Sequence, residues 1–409
     1  MLLLFLMSKL CPNRVRAIYV NHQLQQQSDG WAIQVQAYCE QLEIPCVIQA
    51  VEVATGNLEN QARLARYQAF GQHLGENDVL VLGHHQQDQA ETVLLRLMSG
   101  AGVSGLSAMR SVDQREDFKI WRPLLDLSRE QICQWAAQSQ LQHVEDPTNL
   151  DVDYDRAWCR LKLWPLVQQR FPQMQGAIAR SSLLMQDANE ILSEVLHEDL
   201  KRCGDSECLN VEVLLSLSVA RRRQLLSYWM KGEGVYRPAL QMVERIQNEV
   251  ITSRSDAQAA LHHAGYYYVR YQKKLYRLNK EVYLAPRLAH KIQNNISMQF
   301  QLNQCYKLAA GHFIAQPADF GLDPALLKQN LSLLGRQGGE KVHLYGRLGS
   351  WPLKKCIQEA HIFPWMRHTI QILSRDNVML GVFTPAGFWL AQSEYCVAQG
   401  WLPIIQAEY

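Results

Sequence analysis

Three short apolar runs rich in β-branched residues mark the first hundred positions: VRAIYV at 15–20, CVIQAV at 46–51 and VLVLG at 79–83. Runs this short and this continuously apolar predict strands buried on both faces of a parallel sheet. Between the first two, Trp31, Val35, Tyr38 and Leu42 recur at helical spacing; between the last two, Leu58, Ala62, Ala65, Ala69 and Phe70 do the same. The alternation β-α-β-α-β predicts a doubly wound α/β sheet. The opening MLLLFLMSKL keeps that rhythm as a helix packed against the strand at 15–20. A helix in that place asks for a further strand before it, so the sheet is expected to be one strand short.

Beyond Pro165 and Pro172 the pattern changes to long helical stretches, MQDANEILSEVLHEDLKR at 185–202 and SVARRRQLLSYWMKGEG at 218–234, joined by the turn-rich CGDSEC. The last hundred residues alternate aromatic and β-branched runs (MQFQL, NVMLGVF, GFWLA) with Gly, Pro and Asn. At 409 residues the chain exceeds what one core usually supports, about 250 residues. The predicted organisation is an α/β domain over 1–195, a mainly helical domain over 196–295 and a small α+β domain over 296–409.

Composition narrows the class of protein. Lys and Arg number 41 against 39 Asp and Glu, so any nucleic-acid surface must come from local clustering. Ten cysteines are scattered singly, Cys203 and Cys208 being the nearest pair, with no C-x-x-C for zinc, iron–sulfur or redox chemistry. That usage fits a reducing cytosol. The opening apolar run is far shorter than the roughly 20 residues of a membrane span. It also lacks the basic start and cleavage site of an export signal. A cytoplasmic protein without a membrane partner is expected.

Ligands of doubly wound sheets lie beyond the carboxyl ends of the strands. That rule singles out Asn21 and His22 after one strand and His84 and His85 after another. The second pair opens GHHQQDQAETVLLRLMSGAGVSGL at 83–106, where Asp88 and Glu91 resemble a capping box. Either Asp88 only caps the helix, or it holds a magnesium ion over ATP phosphates while a histidine contacts phosphate or moves a proton. In EDPTNLDVDYDRAWCR at 145–160, Arg156 and Arg160 stand one helical turn apart. They grip phosphates of ATP or RNA, or else form surface ion pairs with Asp151, Asp153 and Asp155. In NLENQARLARY at 57–67, Arg63 and Arg66 share a helix with Tyr67; a solvated face is the plain alternative. Between 331 and 375, seven basic residues (Arg336, Lys341, Arg347, Lys354, Lys355, Arg367, Arg375) face two acids (Glu340, Glu359), a local charge of +5 against +2 for the chain. They are interleaved with Tyr345, Trp351, Phe363 and Trp365, as expected where phosphates and stacked bases are both contacted, though a basic surface over core aromatics reads the same way.

Taken in order, NHQL with Trp31, NLENQARLARY, HHQQDQAETVLLRLMSGAGVSGL, WRPLLDLSREQI, VEDPTNLDVDYDR and the C-terminal LGRQGGEK…GR…LKK…QE…PW resemble the tRNA(Ile)-lysidine synthetase family of PP-loop ATP pyrophosphatases. The resemblance runs over almost the whole chain and implies a PP-loop ATP-binding catalytic domain followed by two tRNA-binding domains. It implies that ATP adenylates C2 of wobble cytidine 34 in the isoleucine tRNA with anticodon CAU, and that L-lysine then attacks to form lysidine, AMP and pyrophosphate. It assigns ATP, Mg2+ and proton transfer to Asp88 with His84 or His85, and the placing of phosphates to Arg63, Arg156 and Arg160. Asn21 and His22 fall at the nucleotide end of the sheet. Arg66 and the C-terminal Arg336, Lys341, Arg347, Lys354, Lys355 and Arg367 would contact RNA. A homodimer is left open.

The resemblance has gaps. The family's Ser-Gly-Gly-x-Asp-Ser phosphate loop is absent, the first glycine being Gly30. Gln87-Asp88 stands where the family usually has two aspartates, and Arg156-Ala157 where it often has Arg-Asn. The expectation is a sequence that starts after the loop and turns over ATP poorly. Alternatives are a non-catalytic tRNA-binding paralogue or another PP-loop tRNA-modifying enzyme.

Overall fold

The three apolar runs are strands in the computed structural model, which describes the chain apart from residues 26, 57, 116–117, 145, 233, 235–236, 255–258, 285–295 and 407–409. Asn57 and Glu145, which open two of the motifs, and the expected boundary at 295 lie outside the described residues. Contacts divide the chain into two units, Met1–Glu194 and Val195–Tyr409.

In the first unit the order is α1 (Leu2–Leu10), β1 (Ala17–Asn21), α2 (Ser28–Gln41), β2 (Cys46–Ala50), α3 (Leu58–His73), β3 (Val79–Val81), α4 (Gln86–Met98) and α5 (Val103–Leu106). Then come β4 (Val112–Gln114), β5 (Lys119–Trp121), α6 (Arg129–Gln138), α7 (Asp155–Trp158), α8 (Trp164–Arg170) and the long α9 (Met174–Cys203). Strands β1 and β2 pair in parallel from Ala17↔Cys46 to Asn21↔Ala50. Strand β3 pairs in parallel with β5, and β4 runs antiparallel to β5. The sheet is thus in two sections, β1–β2 and β3–β5–β4, with no strand between β1 and β3 among the described residues. Side chains join them: Ile18 and Val20 of β1 pack into the cluster of Tyr67, Phe70, Leu80, Phe118 and Ile120. The apolar α1 rests against α6, with Leu2 buried and Leu3 beside Gly83 just past β3.

The second unit begins with β6 (Cys208–Asn210), α10 (Val211–Ser216), α11 (Val219–Lys231), α12 (Leu240–Arg245), β7 (Ala260–His263), β8 (Tyr266–Tyr271) and β9 (Lys274–Asn279). The helices expected here are accompanied by an antiparallel sheet of order β6-β9-β8-β7. Its strands YYYVRY and KLYRLN alternate tyrosines with Lys and Arg, which hides the strand period from a hydrophobicity reading. Next come β10 (Ile296–Met298), β11 (Cys305–Leu308), β12 (Gly311–Leu322), β13 (Leu331–Gly335), β14 (Lys341–Val342), β15 (Trp351–Pro352) and α13 (Leu353–Glu359). The chain closes with β16 (Gln371–Arg375), β17 (Val378–Thr384), β18 (Gly387–Leu390) and β19 (Cys396–Ile405). Sheets of order β10-β13-β16-β17-β18 and β11-β12-β19 share a core of Phe300, Phe313, Leu331, Phe383 and Trp401. Tyr271 and Tyr276 meet Phe363 and Trp365 edge to face, with ring centroids 5.3–6.2 Å apart. Phe363 and Trp365 therefore pack inside the unit. They are not the exposed stacking platforms that their place among basic residues suggested.

Candidate functional site

Strand β3 ends one residue before Leu82, whose N–H still bonds Trp121 O at 2.9 Å; Gly83 then releases the chain and His84 and His85 lead into α4. The helix starts one turn earlier than the Asp88–Glu91 capping pattern implied. His85 is its N-cap, and Asp88, at the third helical position, accepts the His85 N–H at 3.0 Å on Oδ2. The same oxygen lies 3.5 Å from His85 Nε2. Asp88 is thus oriented by the backbone it caps, and its other oxygen remains for a ligand.

Glu91, one turn further, points inward with no solvent exposure. It receives Gln87 Nε2 at 3.1 Å and a two-pronged bond from Arg160, whose Nε and Nη2 each lie 2.9 Å from a carboxylate oxygen. A buried carboxylate needs such a partner, because removing a charge from water unpaired is costly. Arg156 Nε stands 2.8 Å from Glu59 Oε1 of α3, close enough for an ion pair but misaligned for a hydrogen bond. The two arginines therefore pair with Glu59 and Glu91, not with Asp151, Asp153 or Asp155. Both pairings pin the 156–160 segment to the site through residues distant in sequence.

Beside His84 lies a cavity of about 300 Å³ lined by Arg63, Arg66, Tyr67, Phe70, Leu82 and Gly83. Arg63 stacks over the Tyr67 ring at 5.0 Å, and Arg115 covers the same ring at 4.0 Å. Arg66 retains exposed surface, yet protein packed about its guanidinium desolvates it, and with Arg63 nearby its pKa is lowered. Burial lowers His84 to about 4; Asp88 opposes this, while Arg122, Arg63 and Arg156 reinforce it. The imidazole is neutral near pH 7, and its Nδ1 is buried without a partner. Crowded cations around an unsatisfied ring nitrogen make a site that an anionic, hydrogen-bonding ligand stabilises.

The residues after β1 are more committed. Asn21, buried, donates Nδ2 to Asp29 at 2.8 Å and accepts the Gln23 N–H at 2.9 Å, which shapes the turn into α2. His22 Nε2 lies 3.1 Å from Ala62 O, tying β1 to α3, and burial and Arg66 lower its pKa. Among the described residues no group of three His, Cys, Asp or Glu side chains is arranged to hold a metal. A magnesium ion here would take one protein carboxylate, Asp88, and complete its shell with phosphate and water, as that ion commonly does.

The basic C-terminal segment is a different kind of surface. Gly338 and Gly339 hold φ of +99° and +86°, wrapping a turn whose Gln337 and Gly338 N–H groups bond Glu340 Oε1 at 2.5 and 2.6 Å. Glu340 Oε2 in turn lies 3.5 Å from Arg336 Nε. Arg367 donates to Ile362 O at 3.1 Å. Arg336 and Arg367 thus hold loops, whereas Lys341, Lys354 and Lys355 reach solvent. Arg347 pairs with Glu359 at 2.6 Å, and Arg347 and Lys355 both lie over Trp351, at 4.5 and 4.4 Å. Spacing alone did not distinguish Arg63 and Arg66 from a solvated face; their i, i+3 placement beside a tyrosine was the available signal.

Three family models match the chain: the PP-loop domain over residues 1–167, the TilS substrate binding domain over 209–276 and the TilS substrate C-terminal domain over 331–399. A tRNA(Ile)-lysidine synthase of Acinetobacter baylyi is 59% identical over 403 residues, covering 98% of this chain and 87% of that protein. Its counterpart in Escherichia coli O157:H7 is 35% identical over 390 residues, covering 94% and 87%. Among solved structures, the U34-tRNA thiolase NcsA of Methanococcus maripaludis overlays 45% of this chain and 67% of its own with a TM-score of 0.38 and 20% identity, a likeness too loose to bear on function. Among the described residues no helix is long and apolar enough to cross a membrane.

Proposed function

We propose, from the premise that this chain belongs to the tRNA(Ile)-lysidine synthase family, that it uses ATP to join L-lysine to the wobble cytidine of the isoleucine tRNA with anticodon CAU. The observation that carries this reading is the cavity at the end of β3, where Arg63, Arg66 and the unpartnered Nδ1 of His84 converge next to Asp88. The reaction needs such a place. A carbonyl oxygen is a poor leaving group until adenylated, so the cytidine C2 oxygen first attacks the α-phosphate and expels pyrophosphate; the lysine ε-amine then displaces AMP. Charge builds on phosphate in the first step, and preorganised cations in a poorly solvated site stabilise it.

Arg63 and Arg66 face the phosphates and gain from their arrival, since an anion relieves the repulsion between them. His84, neutral, offers a ring nitrogen to a phosphate oxygen or to the proton leaving the lysine ammonium. His85 holds Asp88 through its backbone N–H, and Asp88 offers the carboxylate for magnesium. Bound magnesium neutralises phosphate charge and eases departure of pyrophosphate. Arg156 extends the cationic rim from α7, and Arg160 keeps that segment in place through Glu91. Asn21 shapes the turn after β1, and His22 ties that turn to α3, the helix that carries Arg63 and Arg66. The exposed Lys341, Lys354 and Lys355 supply phosphate contacts for the tRNA. Cytoplasm is the compartment in which ATP, lysine and tRNA meet.

The test is mass spectrometry of nucleosides from tRNA(Ile) incubated with the chain, ATP, Mg2+ and isotopically labelled lysine. Labelled lysidine at the wobble position, lost in Asp88→Asn, is the expected outcome; neither lysidine nor preference for the CAU anticodon would overturn the reading. A second reading, a tRNA-binding protein without catalysis, is favoured by Gln87 beside Asp88, which leaves a single carboxylate for magnesium there. Tight, ATP-independent tRNA binding with no lysidine selects it.

A further inference from the structure

A cavity of about 450 Å³ lies in the C-terminal fold, between the end of β12, the turn after β14, α13 and β18. One side is a stacked pair, Phe320 and Tyr345, with ring centroids 4.3 Å apart and planes inclined by 21°. Trp389 and Cys356 line it as well. Tyr345 is 45% exposed, so one part of its ring stays open to the cavity while Phe320 covers another, and its N–H is anchored to Leu390 O at 2.9 Å. Two polar groups complete the lining: the Arg347 guanidinium and the Glu359 carboxylate, paired at 2.6 Å. Beyond them Trp351 sits between Arg347 and Lys355.

We propose that this cavity receives one unpaired purine base of the bound RNA, a reading that rests on the tRNA-binding function inferred above. Aromatic walls offer π-faces to a flat heterocycle. Guanidinium and carboxylate side by side present donors and an acceptor to the edge of a base that carries a ring acceptor beside an exocyclic amine, while the two-ring stacking area is what favours a purine over cytosine. The volume admits a purine with its ribose, whereas a base still in a duplex has no free face or edge to offer. Lys355 and the exposed Lys354 stand near the rim, where the flanking phosphates of an RNA strand would run.

Binding of fluorescently labelled tetranucleotides A4, G4, C4 and U4, of AMP and GMP, and of whole tRNA(Ile) to the full chain tests this. A4 or G4 should bind more tightly than C4 and U4. Tyr345→Ala, at a position exposed enough to leave folding intact, should weaken purine tetranucleotide binding about tenfold, as loss of one base–aromatic stack does elsewhere. Tyr345→Trp should retain it, and Glu359→Gln should erode the purine preference with little change in shape. Equal binding by the parent and Tyr345→Ala overturns the proposal. So does Tyr345-dependent binding of AMP or GMP as tight as that of A4 or G4, which would make the pocket a metabolite site. The lysidine assay separates this inference from the function it rests on. Lysidine formed normally with Tyr345→Ala binding unchanged sinks the pocket alone; Tyr345-dependent oligonucleotide binding without lysidine sinks the catalytic reading alone.

Discussion

The two cationic regions of this molecule are built on opposite principles. At the end of β3, Arg63 and Arg66 are crowded together, the nearby Glu59 being ion-paired with Arg156, and burial forces a neighbouring histidine neutral. On the C-terminal face the cations are at rest: Arg347 has Glu359, Arg336 has Glu340, and Trp351 carries Arg347 and Lys355 on its ring. Crowded, partly desolvated cations store repulsion that a compact anion releases, which suits a polyphosphate bound in one place. Satisfied or solvated cations store none, and suit a long polyanion met at many weak points. Charge counts along the sequence register only the second kind, because the first is a matter of what is missing nearby.

Four experiments bear on that contrast. The largest effect is expected where a cation beside the β3 site is structural. Arg160→Met strands the buried Glu91 and should cost roughly 3–5 kcal/mol in urea unfolding, most of it recovered in Arg160→Met with Glu91→Leu; an unaltered midpoint would move Arg160 back among residues free to act on substrate. Arg66→Ala should do the reverse, leaving unfolding within about 0.5 kcal/mol while pyrophosphate or ATP affinity, read by calorimetry, falls about tenfold. Third is pH. The folded pKa of His84, about 4, lies below its ordinary 6.5, so as pH falls the unfolded chain takes the proton first. Its stabilising contribution is complete above about 6.5 and drains away toward 4, on the order of 1 kcal/mol after allowance for solvent screening. His84→Gln should flatten stability in that window, and a slope unchanged by the substitution would refute the assignment. Smallest is Lys354→Ala on the basic face, which should weaken tRNA binding a few-fold and reduce the log–log salt slope by about 0.7–0.9. A loss as large as that of Arg66→Ala for ATP would erase the distinction between the regions.

Much of the first unit's architecture was legible because strands buried on both faces announce themselves: β2 and β3 fall within their apolar runs, and β1 overruns its own by the single residue Asn21. The apolar residues after Asp88 and Glu91 marked α4 as well, although only its first half is covered: Val93 is buried, while Leu97 and Met98 are exposed. Its first turn was misread, since Asp88 and Glu91 match a capping box in spacing while His85 holds the cap and Glu91 turns inward to Arg160. No local pattern encodes a partner 69 residues away. Arg156 shows the same limit, choosing Glu59 across the fold over the three aspartates beside it in sequence. Phe363 and Trp365 looked like base-stacking residues because they sit among Lys and Arg, yet Tyr271 and Tyr276 claim them. The strands β8 and β9 escaped notice because tyrosine buries its ring while scoring as half polar. Spacing reports the face a side chain occupies within its own element; what lies opposite that face is written elsewhere in the chain.

The two-section sheet has a consequence for how the protein behaves in a crowded tube. Among the described residues β1 hydrogen-bonds only β2 and β3 only β5, so each strand keeps an unpaired backbone edge, and their side chains meet in an apolar seam. Edges of that sort are templates for a stranger's strand. Concentrated solutions of this chain should lose monomer first through that seam, and thioflavin-positive aggregates should carry the protease-resistant segments 15–21 and 79–82 at their centre.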